Sequence, residues 1–406
     1  MNMPSSLSAA LVSVTAVMLL LQAPTAQAAE LTQRDKDLAI NGPNYKKLVL
    51  MKNVVADILP PPAYIIEAQL TVLRLIDLTE VAMEDGKIDA TESKAIEELI
   101  DYGGKLKDGA PKVFPGYYER IEVWKKDLPD STQDEKLVKK LLTIKSVEPA
   151  SKFFTVRDTT FVPLIRAGDV KGAKVVARNE LKPLYQEHRA AIDTVVTRAR
   201  RITEKVEKQV ADKLASADVA AADIRIKSPL YTKIILMKDL VSDILPPPAY
   251  IIESYLTVLQ QIDETEVALT NGAISAEGKT TLDALVEYGR QLEVGDSNKG
   301  EMAGYNERIA AWTTDLTTDT PDDVRIKDLM VKLSYTPAIK FYEIRDGKFL
   351  PAISKGAVAD AKKIVRQELL PLYEEHRKHI DQLVISANAM YEQVQAKVDA
   401  LLAGGN

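Results

Sequence analysis

No cysteine occurs anywhere in the 406 residues, and there are three histidines. Without cysteine there are no disulfides, thiolate nucleophiles, zinc–thiolate centres, iron–sulfur clusters or covalently attached haem. Aromatic residues make up 6% of the chain and the formal net charge is −6. That balance argues against nucleic acid as the main partner, because phosphate binding needs a basic face. No Gly-x-Ser-x-Gly elbow, His-Glu-x-x-His pair or P-loop is present. Runs of alternating β-branched residues bounded by turns are missing as well. The expectation is therefore a helical protein that is not an enzyme, with no catalytic residue, no cofactor and no metal.

Charge is also lacking at the start: residues 1–29 carry no charged side chain, and Glu30 is the first. The apolar run AALVSVTAVMLLL (Ala9 to Leu21) is too short for a membrane span, which needs about 18–20 residues. Ala26-Gln27-Ala28 offers the small-x-small pattern of a cleavage site. Residues 1–28 are expected to be a secretory signal cleaved after Ala28, giving an exported, periplasmic protein; the alternative is an uncleaved anchor.

What is present is one unit used twice. DILPPPAYIIE runs from Asp57 to Glu67 and again from Asp243 to Glu253. Further on, Trp124 answers Trp312, Pro149 answers Pro337, Pro163 answers Pro351, Pro183 answers Pro371 and His188 answers His376. The units cover residues 38–213 and 224–402, joined by an alanine-rich linker at 214–223. The first unit is slightly basic and the second clearly acidic, so the two should differ in what they attract.

In YKKLVLMKNVVADIL apolar residues recur every three or four positions, which predicts a helix with one buried stripe. The three prolines then interrupt the backbone ladder, and a new helix starts with them in its first turn. Gly86 should close the following turn. Asp89 and Glu92 form a capping box for the next helix, and the last helical stretch should begin near Asp169. Long helices with short connections predict an all-α fold of two tandem antiparallel four-helix-type bundles. The first helix of each is broken at a Pro-Pro-Pro kink, and a helical linker would set the bundles end to end.

The segments LYxxIxxMKxLVxDILPPPAYIIExYLTVL, YxERxxxW, PAxKFFxxRDxxFxPxIxxG and LxPLYxEHRxxID carry a resemblance. Together they resemble the extracytoplasmic sensory domain of bacterial methyl-accepting chemotaxis receptors, over nearly all of each unit. The resemblance implies a helical-bundle input module, present twice, that senses or binds. It names no ligand, and it makes a homodimer plausible. The receptors' second membrane span, HAMP linker and methylated coiled coil have no counterpart in this sequence.

Three groups of residues are candidates for ligand binding. The proline break either relieves a packing mismatch or opens the bundle and sets Asp57, Tyr64 and Glu67, with Asp243, Tyr250 and Glu253, at a cavity. Arg120 and Trp124, repeated as Arg308 and Trp312, lie one helical turn apart. They form either a surface cation–π contact or an anion clamp with an aromatic wall. Tyr185, His188 and Arg189, with Tyr373, His376 and Arg377, share a helix face. Each histidine is either a satisfied core group or one that binds a ligand or reports pH. Tyr185 stands where a di-iron Glu-x-x-His motif needs its carboxylate. The EDGKIDATE segment lacks the acidic positions of a calcium loop.

The expected function is non-covalent recognition of a small molecule by an exported sensory protein, which passes its signal to a membrane partner. The alternative is a structural rod or adaptor that binds other exported proteins through helix–helix contacts.

Overall fold

Asp89 shows how the sequence sets its helix ends. Its carboxylate accepts from the Thr91 and Glu92 amides, and Glu92 accepts from the Asp89 amide, so the helix Ala90–Asp108 starts on a complete capping box. Glu92 is thereby used as a cap. Gly86, at φ 88°, makes the turn before it. Asp169 caps Val170–Val176 by accepting from the Gly172 amide, which starts the last helical stretch where the sequence places it. Gly116 begins Tyr117–Asp127 and lies so close to the backbone of Asp108 and Gly109 that no β-carbon fits; Gly304 repeats this against Gly295.

The computed structural model describes residues 33–40, 42–58, 63–84, 86–111, 115–214, 225–229, 231–232, 234–235, 238, 249–270, 273–295 and 304–403. The fold is all-α. Among the described residues the exceptions are an antiparallel pair of two-residue strands, Leu269–Thr270 with Ala273–Ile274, and isolated bridge positions such as Ala39 with Arg225. The expected signal segment, both proline triplets, Asp243 and residues 215–223 of the linker lie outside the described residues.

Pro149, Pro163 and Pro183 sit inside helical runs, which a proline ring normally disrupts by striking the carbonyl four residues back. In each case that carbonyl, of Lys145, Thr159 or Asn179, belongs to a wider π turn: Leu141–Lys145, Arg157–Phe161 and Ala177–Leu181. Pro337, Pro351 and Pro371 follow Leu329–Leu333, Arg345–Phe349 and Val365–Leu369 in the same way. The chain turns helically through all six.

The two repeats pack side by side, with the first helix of the first unit seated on the last helix of the second. Pro43–Ile58 lies along Leu370–Ala403, the last helix of the second unit, where the Lys52 ammonium sits 4.3 Å from the Tyr391 ring centre. Lys47 also pairs with Asp323. After the proline triplet, Ile66–Ala82 packs within its own unit against Ala90–Asp108 and Val170–Val176, and against Ile252–Ala268 of the other. The helices on both sides of the break therefore face the last helix of the other unit, since Glu67 and Arg74 of Ile66–Ala82 pair with Arg377 and Glu374. The repeats are not joined solely end to end.

Candidate functional site

Tyr64 and Tyr185 share a hydrogen bond of 2.7 Å between their hydroxyls, and their rings stack at 5.9 Å. His188 stacks on the other side of the cluster, 5.7 Å from the Tyr64 ring, with Tyr117 edge-on at 5.8 Å. All four side chains are buried. His188 Nδ1 donates to the Ser146 carbonyl at 2.8 Å. That carbonyl is free to accept because its helical bond from the Ala150 amide is stretched to 3.4 Å just after a π turn. The second unit repeats the arrangement. Tyr250 meets Tyr373 at 2.7 Å, and His376 stacks on Tyr250 at 5.8 Å and donates to Ser334 at 2.7 Å.

Burial pushes the His188 and His376 imidazoles down to about 4, against the pull of their carbonyl partners. Burial likewise lifts the Tyr185 hydroxyl to about 12 and that of Tyr64 well above the usual range. At neutral pH these groups are uncharged core members. The rings beside the proline break fill the space with one another.

Glu67 and Arg189 come together with residues of the other repeat. Arg189 reaches Glu253 at 3.1 Å and donates to the Tyr288 hydroxyl at 2.6 Å. Arg377 reaches Glu67 at 3.2 Å and donates to the Tyr102 hydroxyl at 2.6 Å, and that hydroxyl donates to Glu67 at 2.8 Å. Each LYxEHR arginine thus binds the DILPPPAYIIE glutamate of the opposite unit. The sequence carries both motifs but not the exchange that pairs them. Asp57 is in Pro43–Ile58 on the far side of the break.

The centre of the interface is a ring of four alternating charges. Lys174 contacts Glu80 at 3.1 Å and Glu266 at 2.8 Å; Lys362 contacts the same two at 2.6 and 2.5 Å. Arg178 with Asp263 and Arg366 with Asp77 flank it. A gap of about 30 Å³ lies within the ring, lined also by Leu73, Ile76, Leu259 and Ile262.

Arg120 lies over Trp124 with its guanidinium carbon 5.5 Å from the ring centre, and Arg308 over Trp312 at 5.6 Å. Both indoles are buried and both arginines are half-buried. This is the geometry of a cation–π pair at the edge of the core.

A cavity of about 450 Å³ opens elsewhere, between Ala90–Asp108 and the stretch from Arg157 to Arg166. Asp101, Lys105, Asp108, Arg157, Asp158 and Arg166 line it. None of the residues singled out from the sequence does. Arg157 is 1% exposed; it donates to Asp158 at 2.5 Å and to the Ile100 carbonyl at 2.6 Å, and its Nε–H has no hydrogen-bond partner. The sequence signal was the Arg-Asp pair in an otherwise apolar stretch, present in both copies as Arg157-Asp158 and Arg345-Asp346.

Among the described residues there is no group of His, Asp and Glu placed to hold a metal ion. No described helix is long and apolar enough to cross a membrane. Compared with family models, with curated proteins and with solved structures, the chain matches none.

Proposed function

We propose that this is an exported, non-catalytic binding protein of the sensory type, in which a small molecule alters how the two repeats pack and a membrane partner reads the change. The observation that carries the reading is the 450 Å³ cavity with a buried, incompletely paired arginine in its wall. The interface supports it. At the centre of the interface the cross-unit contacts include charge pairs around a small gap, and helices at interfaces can shift by an ångström or so. The resemblance to chemoreceptor input domains points the same way. Such modules act in pairs, and here one chain supplies both members.

The adaptor reading would need a continuous exposed apolar face. Among the described residues seven large apolar side chains are exposed, Ile144, Val175, Val267, Val294, Val324, Leu333 and Ile385, and they lie on separate helical segments of the chain.

The absence of cysteine makes the test direct. Cysteines placed at exposed Ile144 and Leu333, one in each unit, can carry spin labels for distance measurement. Titration with amino acids, organic acids and amines should stabilise the protein and shift the distance distribution. A panel that leaves both melting temperature and distance unchanged refutes the proposal.

A further inference from the structure

The second repeat contains the same buried arginine in a completed setting. Arg345 donates through Nε to Asp346 at 2.6 Å, through Nη1 to the Gly289 carbonyl at 3.0 Å, and through Nη2 to Glu293 at 2.5 Å. Two carboxylates therefore hold Arg345. Arg157 has one, Asp158. The residue aligned with Glu293 is Lys107, whose ammonium turns to Asp158 and Asp108. The other charged wall residues differ too: Lys105, Asp108 and Arg166 align with Gln291, Val294 and Ser354. Opposite Gly104, where a β-carbon would meet nothing, the second unit has Arg290.

The electrostatics follow. Burial pulls both guanidinium groups down. Asp346, Tyr342 and Glu293 more than offset this for Arg345, which ends above its ordinary range, whereas Arg157 ends below. The first unit is short of one negative group beside a desolvated cation that forms part of the cavity wall. A buried cation with an unfilled hydrogen-bonding edge is costly until an anion completes it.

We infer that the cavity of the first unit takes a small carboxylate, whose oxygens occupy beside Arg157 the position that the Glu293 carboxylate occupies beside Arg345. The second unit carries its own permanent occupant, so a single site per chain is expected. A carboxylate suits a guanidinium partner, and in this cavity it would also meet Lys105 and Arg166. Free organic acids and amino acids share this group; an amino acid would also present its ammonium to Asp101 or Asp108. The inference rests on the sensory reading and names its ligand class and site.

The experiment is isothermal titration of the full chain with short aliphatic carboxylates, α-amino acids, aliphatic amines and inorganic phosphate. It is repeated on a variant with the second unit's residues transplanted, Lys107→Glu with Asp108→Val. Carboxylates or amino acids should bind with a stoichiometry near one, and amines should not. The transplant should weaken binding at least about tenfold while raising the melting temperature of the unliganded protein, because its own side chain fills the site. Binding of amines alone would overturn the ligand class while leaving the sensory reading intact. Carboxylate binding unaffected by the transplant would overturn the site. Phosphate binding as tight as carboxylate would show an unselective cationic patch and also overturn it. Silence across the whole panel would overturn both this inference and the sensory reading.

Discussion

Acid should unfold this protein earlier than its carboxylates alone would require, because two histidines are buried neutral. Their folded values of about 4 lie below the ordinary 6.5. Between those values the unfolded chain binds protons that the folded chain refuses, so stability falls as pH drops through that window. From pH 7.5 to about pH 5 the loss is about 2 kcal/mol per histidine, or about 4 kcal/mol for the pair. Asp193 opposes this. Burial raises its carboxyl to about 6, so the folded state is the better proton acceptor there, returning about 1 kcal/mol. Its counterpart Asp381 and also Glu207 are raised by burial and act in the same direction. Urea unfolding at the two pH values should show a net loss of at most about 3 kcal/mol. In the double variant His188→Asn, His376→Asn an amide nitrogen stands near the position of Nδ1 and can still donate to Ser146 and Ser334. There the acid loss should vanish or reverse, although the variant is weaker at neutral pH. Equal acid losses in the parent and the double variant would refute the assignment of the histidines as neutral core groups.

Three further outcomes follow from named contacts. Lys362→Met leaves Glu80 and Glu266 sharing Lys174 alone; because the ring is only partly shielded, the cost should be about 1–3 kcal/mol by chemical denaturation. Lys174→Met on top of it should cost more than the sum of the two single changes, and simple additivity would count against a closed ring. Gly103→Ala drives a methyl into the Arg157 guanidinium and should destabilise by more than about 1 kcal/mol, whereas Gly104→Ala meets nothing and should be neutral or slightly stabilising. Arg377→Lys keeps the charge but loses the fork that spans Glu67 and Tyr102, so the melting temperature should fall more than for a change at exposed Arg290.

Much of the local structure was legible because it depends on local chemistry. The capping box at Asp89, the turn at Gly86 and the start at Asp169 are read from a few adjacent residues. The pairing of Tyr64 with Tyr185 and His188 was not read from the sequence, which set them in two separate groups. What could not be read was which copy of a motif meets which. Glu67 meets Arg377 and not Arg189, because Ile66–Ala82 itself reaches the last helix of the other repeat, and identical motifs in two copies make either pairing equally consistent with the sequence. The π turns were hidden for a different reason. Proline within a helical pattern reads as an end, unless the carbonyl it would strike has already been moved aside. Arg157 was passed over because it lies within an apolar segment and looks like its counterpart Arg345; the difference lies at Lys107 and Glu293, about fifty residues upstream of each.

The seating of Pro43–Ile58 on the second unit has a consequence for how the polypeptide matures. Pro43–Ile58 is made early, yet the surface it settles on, Leu370–Ala403, is made long afterwards. Until that helix has been synthesised, the early segment has nowhere native to dock, and closing so long a loop is slow. Trimming a few turns from the carboxyl end should therefore loosen the opposite end of the chain, exposing residues near Lys47 and Lys52 to proteases before any cut appears in the middle.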